Sequence, residues 1–376
     1  MKTQKSQFDD SLTALNNNNS NTLRYQNLAP DISLRDIVKT LPPECFNRNY
    51  RKSWTQALIN SLVVLLCYYG LATLPWFFLP FLWITIGTAL AGFFSLGHDC
   101  GHYSFAKQRW INELLGHFFL LPVIYPFHNW CLEHNSHHNR TNRLGGSGWK
   151  QVHDIVNGEA DPYWQPFRVE VYDKLTPITR RIYQLIRGPF WWLATTLNWW
   201  NQLNIDVSKL PQKDRLKVRL SIAIVLLFSA IVFPTLIITT GLWGFIKFWL
   251  IPWLIFHFWF GTFTLIHHTF PDNKNWKSEK DWNAAQAQLC GTVHCKYPWW
   301  VEFLCHDINY HVPHHISTAI PSYNLRMAHK SLQQNWGTYL RECDFSWSLI
   351  REITSQCHLY NYAEEHFKSF QESSDS

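Results

Sequence analysis

Three histidine clusters carry the chemistry open to this sequence: His98-Asp99-Cys100-Gly101-His102, His134-Asn135-Ser136-His137-His138 and His311-Val312-Pro313-His314-His315. Residues three and four apart share one face of a helix, so each cluster aims its rings at one point if its backbone is helical. Imidazole suits zinc, copper, iron or nickel. Eight imidazoles exceed the ligand set of one structural zinc, but they suit two metals with four or five ligands each. Carboxylate di-iron bundles use paired Glu and Glu-x-x-His motifs, and no such pair occurs here. An all-nitrogen di-iron site is the remaining natural solution, and it points to oxidative chemistry. Neutral imidazoles leave the metals' charge uncompensated, so carboxylates behind them are expected to orient the rings. Asp99, Asp154, Asp161 and Asp307 are the candidates. One histidine pair is usually just surface; three clusters beside apolar segments are not explained that way.

The elements that must position these clusters are membrane spans. Crossing a bilayer takes about 20 mostly apolar residues, and residues 55–74, 75–96, 220–240 and 242–266 qualify. The links at Leu74-Pro75 and Thr240-Gly241 are short, so the spans pair into two antiparallel hairpins. His98 follows the second span by two residues. His267 and His268 end the fourth, level with His98, and His268 is the one favoured to complete the site. Residues 114–127 are apolar but too short to span, so a re-entrant or interfacial segment is expected there. The third cluster contains Pro313, which a helix tolerates only in its first turn. A helix starting near Tyr310, capped by Asp307 or Asn309, is the expectation.

The composition agrees. The 376 residues include 21 Trp, 26 Phe and 15 Tyr, with only 16% charged, as expected of a chain touching lipid. Mean hydropathy is nevertheless slightly negative, at −0.18, so roughly half the chain must lie outside the bilayer. The fold expected is therefore an all-α integral membrane protein, with four transmembrane helices in two hairpins and a mostly helical cap holding the histidines. Residues 1–30 are read as a disordered polar N-terminus without a cleavable signal, residues 31–362 as one domain, and residues 363–376 as a polar tail, disordered from Phe370 to Ser376. Nine scattered cysteines form no C-x-x-C pair, which argues against a zinc ribbon. Lys and Arg concentrate between the hairpins, so that segment, both termini and all three clusters are expected on the cytoplasmic face. The net charge of +6 fits this bias better than nucleic-acid binding.

The remaining histidines are weaker candidates. His257 lies about 16 Å below the end of its span at the helical rise, where a packing role is expected. His117, His128, His153, His294, His306, His329 and His358 read as supporting or structural, with His294 and His306 the least improbable in function.

The clusters, in this order around two hairpins, resemble those of the membrane fatty-acid desaturases. The similarity extends to Ile37-Val38-Lys39-Thr40-Leu41-Pro42, to Gly97 through Ala106 and to Cys305 through His315. It is greatest to cyanobacterial acyl-lipid desaturases of the delta-12 (omega-6) type and runs over about residues 30–360. It implies an O2-dependent enzyme with two iron ions. Such an enzyme places a cis double bond in a membrane glycerolipid's acyl chain, oleate to linoleate, with separate reduced ferredoxin as electron donor. It also implies a thylakoid or plasma membrane and the metal ligands His98, His102, His134, His137, His138, His268, His311, His314 and His315. The second box departs from delta-12 relatives, having Asn135, Ser136, Asn139 and Arg140 where they are richer in histidine. The connection after it, residues 143–161, is longer than usual and could shift regiochemistry. Phe93, Phe94, Trp259, Phe260 and Phe263 are plausible walls of an acyl tunnel. The rival enzymes are a desaturase of other regioselectivity, a hydroxylase, an acetylenase or a carotenoid oxygenase. A membrane metal-binding or transport protein is the rival outside enzymes, though it would want ionisable residues through the spans.

Overall fold

The computed structural model describes residues 27–374. The N-terminal stretch expected to be disordered lies, through residue 26, outside the described residues. Leu28, just beyond it, is buried and donates its N–H to Gln286 Oε1 at 2.6 Å.

The first hairpin pairs α1 (Tyr50–Thr73) with α2 (Leu79–Gly101). Pro75 ends the first arm, because the residue before a proline avoids helical geometry. Asn60 ties the arms together through its Nδ2 on the Ala89 carbonyl, at 2.8 Å and buried. α2 is the centre of the molecule, with every residue from Ile86 to Cys100 buried. Its small residues let neighbours come close, as in packed membrane helices. At Gly92 a Cβ would sit 1.9 Å from the Leu304 carbonyl oxygen.

α3 (Arg109–Leu120) and α4 (Phe127–Arg140) follow. The apolar stretch 114–127 does not span; it breaks at a 3₁₀ turn, Leu121–Val123, and a left-handed Ile124. The break leaves carbonyls without helical partners, which is costly in an apolar setting. Three indoles take them: Trp249 Nε1 donates to Pro122, Trp253 Nε1 to Val123 and Trp199 Nε1 to Ile124. Trp249 and Trp253 lie on the second hairpin and Trp199 on the helix before it, so the broken segment is stapled to both.

After the amphipathic α5 (Pro177–Arg187) and α6 (Leu193–Leu203) comes the second hairpin, α7 (Gln212–Phe245) and α8 (Ile251–His268). Gly241 has φ 72° and ψ 178°, a region essentially reserved for glycine. The chain reverses there. The Phe233 and Trp249 rings lie 4.4 Å apart, whereas sixteen residues of straight helix would separate them by about 24 Å. Among the described residues, three helical stretches are long and apolar enough to cross a membrane: Tyr50–Thr73, Trp76–Gly101 and Gln212–His268, the last including this reversal. Leu62, Leu65, Leu66, Phe81, Leu226, Leu227 and Ile231 are exposed on their outer faces, the surface that lipid would cover.

The cap holds α9 (Ala284–Cys290), α10 (Trp299–Leu304) and α11 (His311–Ile316). The all-α expectation needs one correction, because the mostly helical chain also carries two small sheets. β1 (Phe167–Arg168), β4 (Leu359–Asn361) and β5 (His366–Lys368) form one, with β1 parallel and β5 antiparallel to β4. β2 (Val293–Lys296) pairs in parallel with β3 (Arg341–Asp344) in the other. The polar tail, expected to be disordered from Phe370, is ordered through residue 374. It supplies β5 and a last helical turn, Phe370–Ser374, and Phe370 stacks on His358 at 3.9 Å. Partly covering that ring outweighs the polar character of its neighbours.

Candidate metal centre

The first cluster ends α2. The helix runs past the expected boundary at Leu96 to Gly101, with His102 as its C-cap. His98 and His102 therefore stack as i and i+4, ring centroids 4.7 Å apart. The second cluster occupies the last turns of α4. The third forms α11, which starts at His311 with Tyr310 as N-cap and Pro313 in its first turn. The expected cap is not made. Asp307 pairs with Arg326 instead, at 2.6 Å, and Asn309 Nδ2 donates to the Cys295 carbonyl and to Glu302 Oε1. His268 closes α8.

Nine imidazoles from these four helices converge in two groups. His98, His102, His134, His138 and His314 form one; His137, His268, His311 and His315 form the other. Within each group the potential ligand atoms lie within 4.8 Å of one another. The helical turn does the sorting: His134 and His138 share a face that His137 leaves, and His311 and His315 share a face that His314 leaves. Nitrogens meet almost entirely through Nε2. In the first group His98 and His314 are 3.0 Å apart, His134 and His138 3.0 Å, and His138 and His314 2.8 Å. In the second, His268 and His311 are 2.9 Å apart, His311 and His315 2.8 Å, and His137 and His268 3.2 Å.

This donor set fits a metal. Two ligands at right angles on a metal–nitrogen bond of about 2.1 Å would be about 3 Å apart. Metal binding also requires neutral imidazole. Burial pushes the pKa of His102, His134, His138, His311, His314 and His315 well below the usual histidine value, and neighbouring histidines add to the shift. His102 Nε2 is buried without a hydrogen-bond partner, as suits a nitrogen that ligates a metal.

Of the four carboxylates expected behind the rings, one is in contact. Asp161 Oδ1 accepts from His137 Nδ1 at 2.7 Å, both groups being buried. Its other oxygen accepts the Asn142 backbone N–H at 2.7 Å. Asp99 is 3.7 Å from His98 Nδ1, too far for a hydrogen bond. Asp154 binds Lys150 and the Gly146 N–H, and Asp307 binds Arg326. Sequence reasoning missed Gln288, whose Oε1 accepts from His315 Nδ1 at 2.6 Å while its Nε2 donates to the His138 carbonyl. A neutral amide on a distant helix gives no sequence signal. Trp130, stacked on His134 at 4.6 Å and 17°, was missed too, although its i−4 spacing could have shown it.

The other histidines stay outside both groups. His267 stacks on His311 at 4.3 Å. His257 is buried with Nδ1 3.1 Å from Thr195 Oγ1, a packing role. His294 meets the Asn309 carbonyl at 3.0 Å, and His306 Nε2 is unpartnered. His117 bonds to Ser221 and His358 to the Thr354 carbonyl, and His329 Nε2 lies 2.8 Å from Glu342 Oε1. The His128 ring lies against that of His117, and His153 approaches Asp154.

A narrow cavity of about 50 Å³ lies against the imidazoles, lined by Ala91, Phe94, Phe256, Phe260, Phe263 and Thr264 among others. Of the five aromatics named for an acyl tunnel, Phe94, Phe260 and Phe263 line this cavity. Phe93 and Trp259 do not: Phe93 packs on Phe119, and Trp259 donates its indole N–H to Thr88 Oγ1.

Comparison with known proteins points the same way. Residues 73–347 match the model of the fatty acid desaturase family. The chain is 52% identical to the sn-1 oleoyl-lipid 12-desaturase of Synechocystis sp. over 331 residues, which is 88% of this chain and 90% of that one. It is 53% identical to the protein of the same name from Anabaena variabilis, over 88% and 91%. It is 42% identical to the chloroplastic omega-6 fatty acid desaturase of Glycine max, over 89% and 75%. With a match across most of its length and two groups of imidazoles at the ends of apolar helices, the chain belongs to the fatty acid desaturase family.

Proposed function

We propose that this protein is an O2-dependent acyl-lipid delta-12 desaturase, converting oleoyl to linoleoyl chains in a membrane glycerolipid. The observation that carries the reading is that histidines of both imidazole groups, His98 and His134 of one and His137, His268 and His311 of the other, line one apolar cavity. The identity to the 12-desaturases supports the bond position. In this reading His98, His102, His134, His138 and His314 hold one iron and His137, His268, His311 and His315 the other. When bound, the iron pair would supply the O2 chemistry needed to take hydrogen from an unactivated methylene.

The chain's own residues do the rest. Asp161 and Gln288 fix the rotation of His137 and His315. Phe94, Phe256, Phe260 and Phe263 exclude water and confine the acyl chain. Removing two hydrogens with one O2, and releasing two waters, consumes two further electrons and two protons. An external donor is therefore required, and reduced ferredoxin is the proposed one. The proposed membrane arrangement has four spans, made from both arms of the two hairpins, with the metal centre on the cytoplasmic side. The Lys and Arg bias supports that orientation.

The test is a fatty-acid profile by gas chromatography–mass spectrometry in a cyanobacterial host without its own delta-12 activity. Linoleate is expected with the intact chain and absent with His314→Ala. A new double bond elsewhere would keep the enzyme class and change the regiochemistry. Iron-loaded, well-expressed protein giving no new lipid would sink the acyl-lipid reading.

A further inference from the structure

Arg187 is a buried cation without an anion. It ends α5, is 5% exposed and donates from Nη2 to the Trp164 carbonyl at 2.7 Å. Its Nη1 is buried with no hydrogen-bond partner. The carboxylates that pair with arginines among the described residues serve Arg143, Arg326 and Arg341 instead. A buried guanidinium left short of acceptors is unfavourable until one arrives.

Arg187 lines a cleft of about 360 Å³ between the loop at residues 162–165 and the helices α6 and α8. Tyr163, Phe260 and Thr264 line this cleft and also the narrow cavity against the imidazoles, so the two spaces meet at one shared wall. On the outside, Ile178, Ile182, Leu197 and Trp200 are exposed along α5 and α6, with Arg180 and Arg181 on the same stretch. Exposed apolar residues beside arginines mark helices that lie in a membrane interface. The cleft is therefore at headgroup depth.

We propose that this cleft holds the glycerol end of the lipid substrate, with Arg187 Nη1 donating to an acyl-ester carbonyl. The chain then passes Tyr163, Phe260 and Thr264 to reach the histidines. This inference rests on the acyl-lipid reading above. A chain still esterified to glycerol carries a wide, oxygen-rich end that an apolar slot cannot accept. Its reacting methylenes lie many carbons from that end. Such a substrate needs a roomier space that offers some polar groups in series with a smaller apolar one, and these two spaces, the first with Arg187, Asn198 and Asn201 in its wall, are so arranged.

The test uses iron-loaded enzyme in nanodiscs with reduced donor and a synthetic dioleoyl glycerolipid. Arg187→Gln is expected to raise KM about tenfold, the order for one lost hydrogen bond to a charged group, with kcat changed little. Arg187→Lys should recover part of the loss. Asn201→Trp narrows the cleft without replacing Arg187 and should also raise KM, so the idea stays testable if Arg187→Gln fails to fold. The same lipid with a diazirine beside its glycerol ester should crosslink to residues 155–167 or 183–201. An active wild type, with KM unmoved in the variants and crosslinks elsewhere, overturns this inference alone. A wild type that forms no double bond in any lipid overturns the acyl-lipid reading and this inference with it.

Discussion

Imidazoles that meet through Nε2 leave Nδ1 free to be held by something else, and that second contact decides how firmly each ring is aimed. Only some rings have one. His137 has the Asp161 carboxylate and His315 has the Gln288 amide, whereas Nδ1 of His98, His138, His268 and His311 has no partner. Among the described residues Asp161 is also the one carboxylate touching a clustered histidine by a hydrogen bond, so its charge is the local counterweight to bound metal. Asp161→Asn keeps the shape and removes the charge. It should lower activity or metal affinity about 10- to 100-fold, read as iron per chain by plasma mass spectrometry and as linoleate formed. Unchanged iron content and unchanged product would show that Asp161 is merely packed there. The boxes themselves were legible because i, i+3 and i+4 spacing maps directly onto a helix face. Asp161 could be named only as one of four candidates, since nothing local distinguishes it from Asp154, which binds a lysine.

At the scale of elements, the site depends on how closely α2 approaches the C-terminal end of α10, which leads into α11. Gly92 makes that approach: its Cα side faces the Leu304 carbonyl, with Asn60 Oδ1 beside it. Backbone cannot give way as a flexible side chain can. Gly92→Ala should therefore cost about 1–3 kcal/mol or more by overpacking and push the first and third boxes apart. The expected readouts are a lower unfolding midpoint in detergent and less than full metal loading. Wild-type loading and stability would show that the helices can shift without loss. Both hairpins were legible from apolar length and short links, and the Gly241 reversal fell at the expected tip. The cap of α11 was not legible. Asp307 and Asn309 stand at plausible capping positions, but Arg326 and Glu302 claim them across the fold.

Across the whole molecule, the polar tail returns to the loop that carries Asp161. β4 pairs with β1 and β5, and Tyr183 Oη accepts the Phe167 N–H and donates to the His358 carbonyl. Phe370 then covers His358 and lies 5.3 Å from Tyr172. The tail thus covers the small sheet continuous with residues 161–165. Truncation after residue 362 removes β5 and Phe370 and exposes this apolar platform. It should lower the unfolding midpoint and reduce linoleate formation while the histidine clusters stay intact in sequence. A truncated chain with full activity and stability would reduce the tail to an ornament of the fold.

The sequence by itself determined the ligand type, the helical spacing that groups the rings, the apolar segments that carry them and the family resemblance. Those are local properties, set within a few turns of chain by residue type and helical period. Only the tertiary structure decided that the nine imidazoles divide five and four. It alone picked Asp161 and Gln288 as the groups behind the rings and set Arg187 beside a cleft that meets the acyl cavity. These depend on contacts between residues far apart in the chain, whose cost or gain is settled by burial, and burial is a property of the packed molecule.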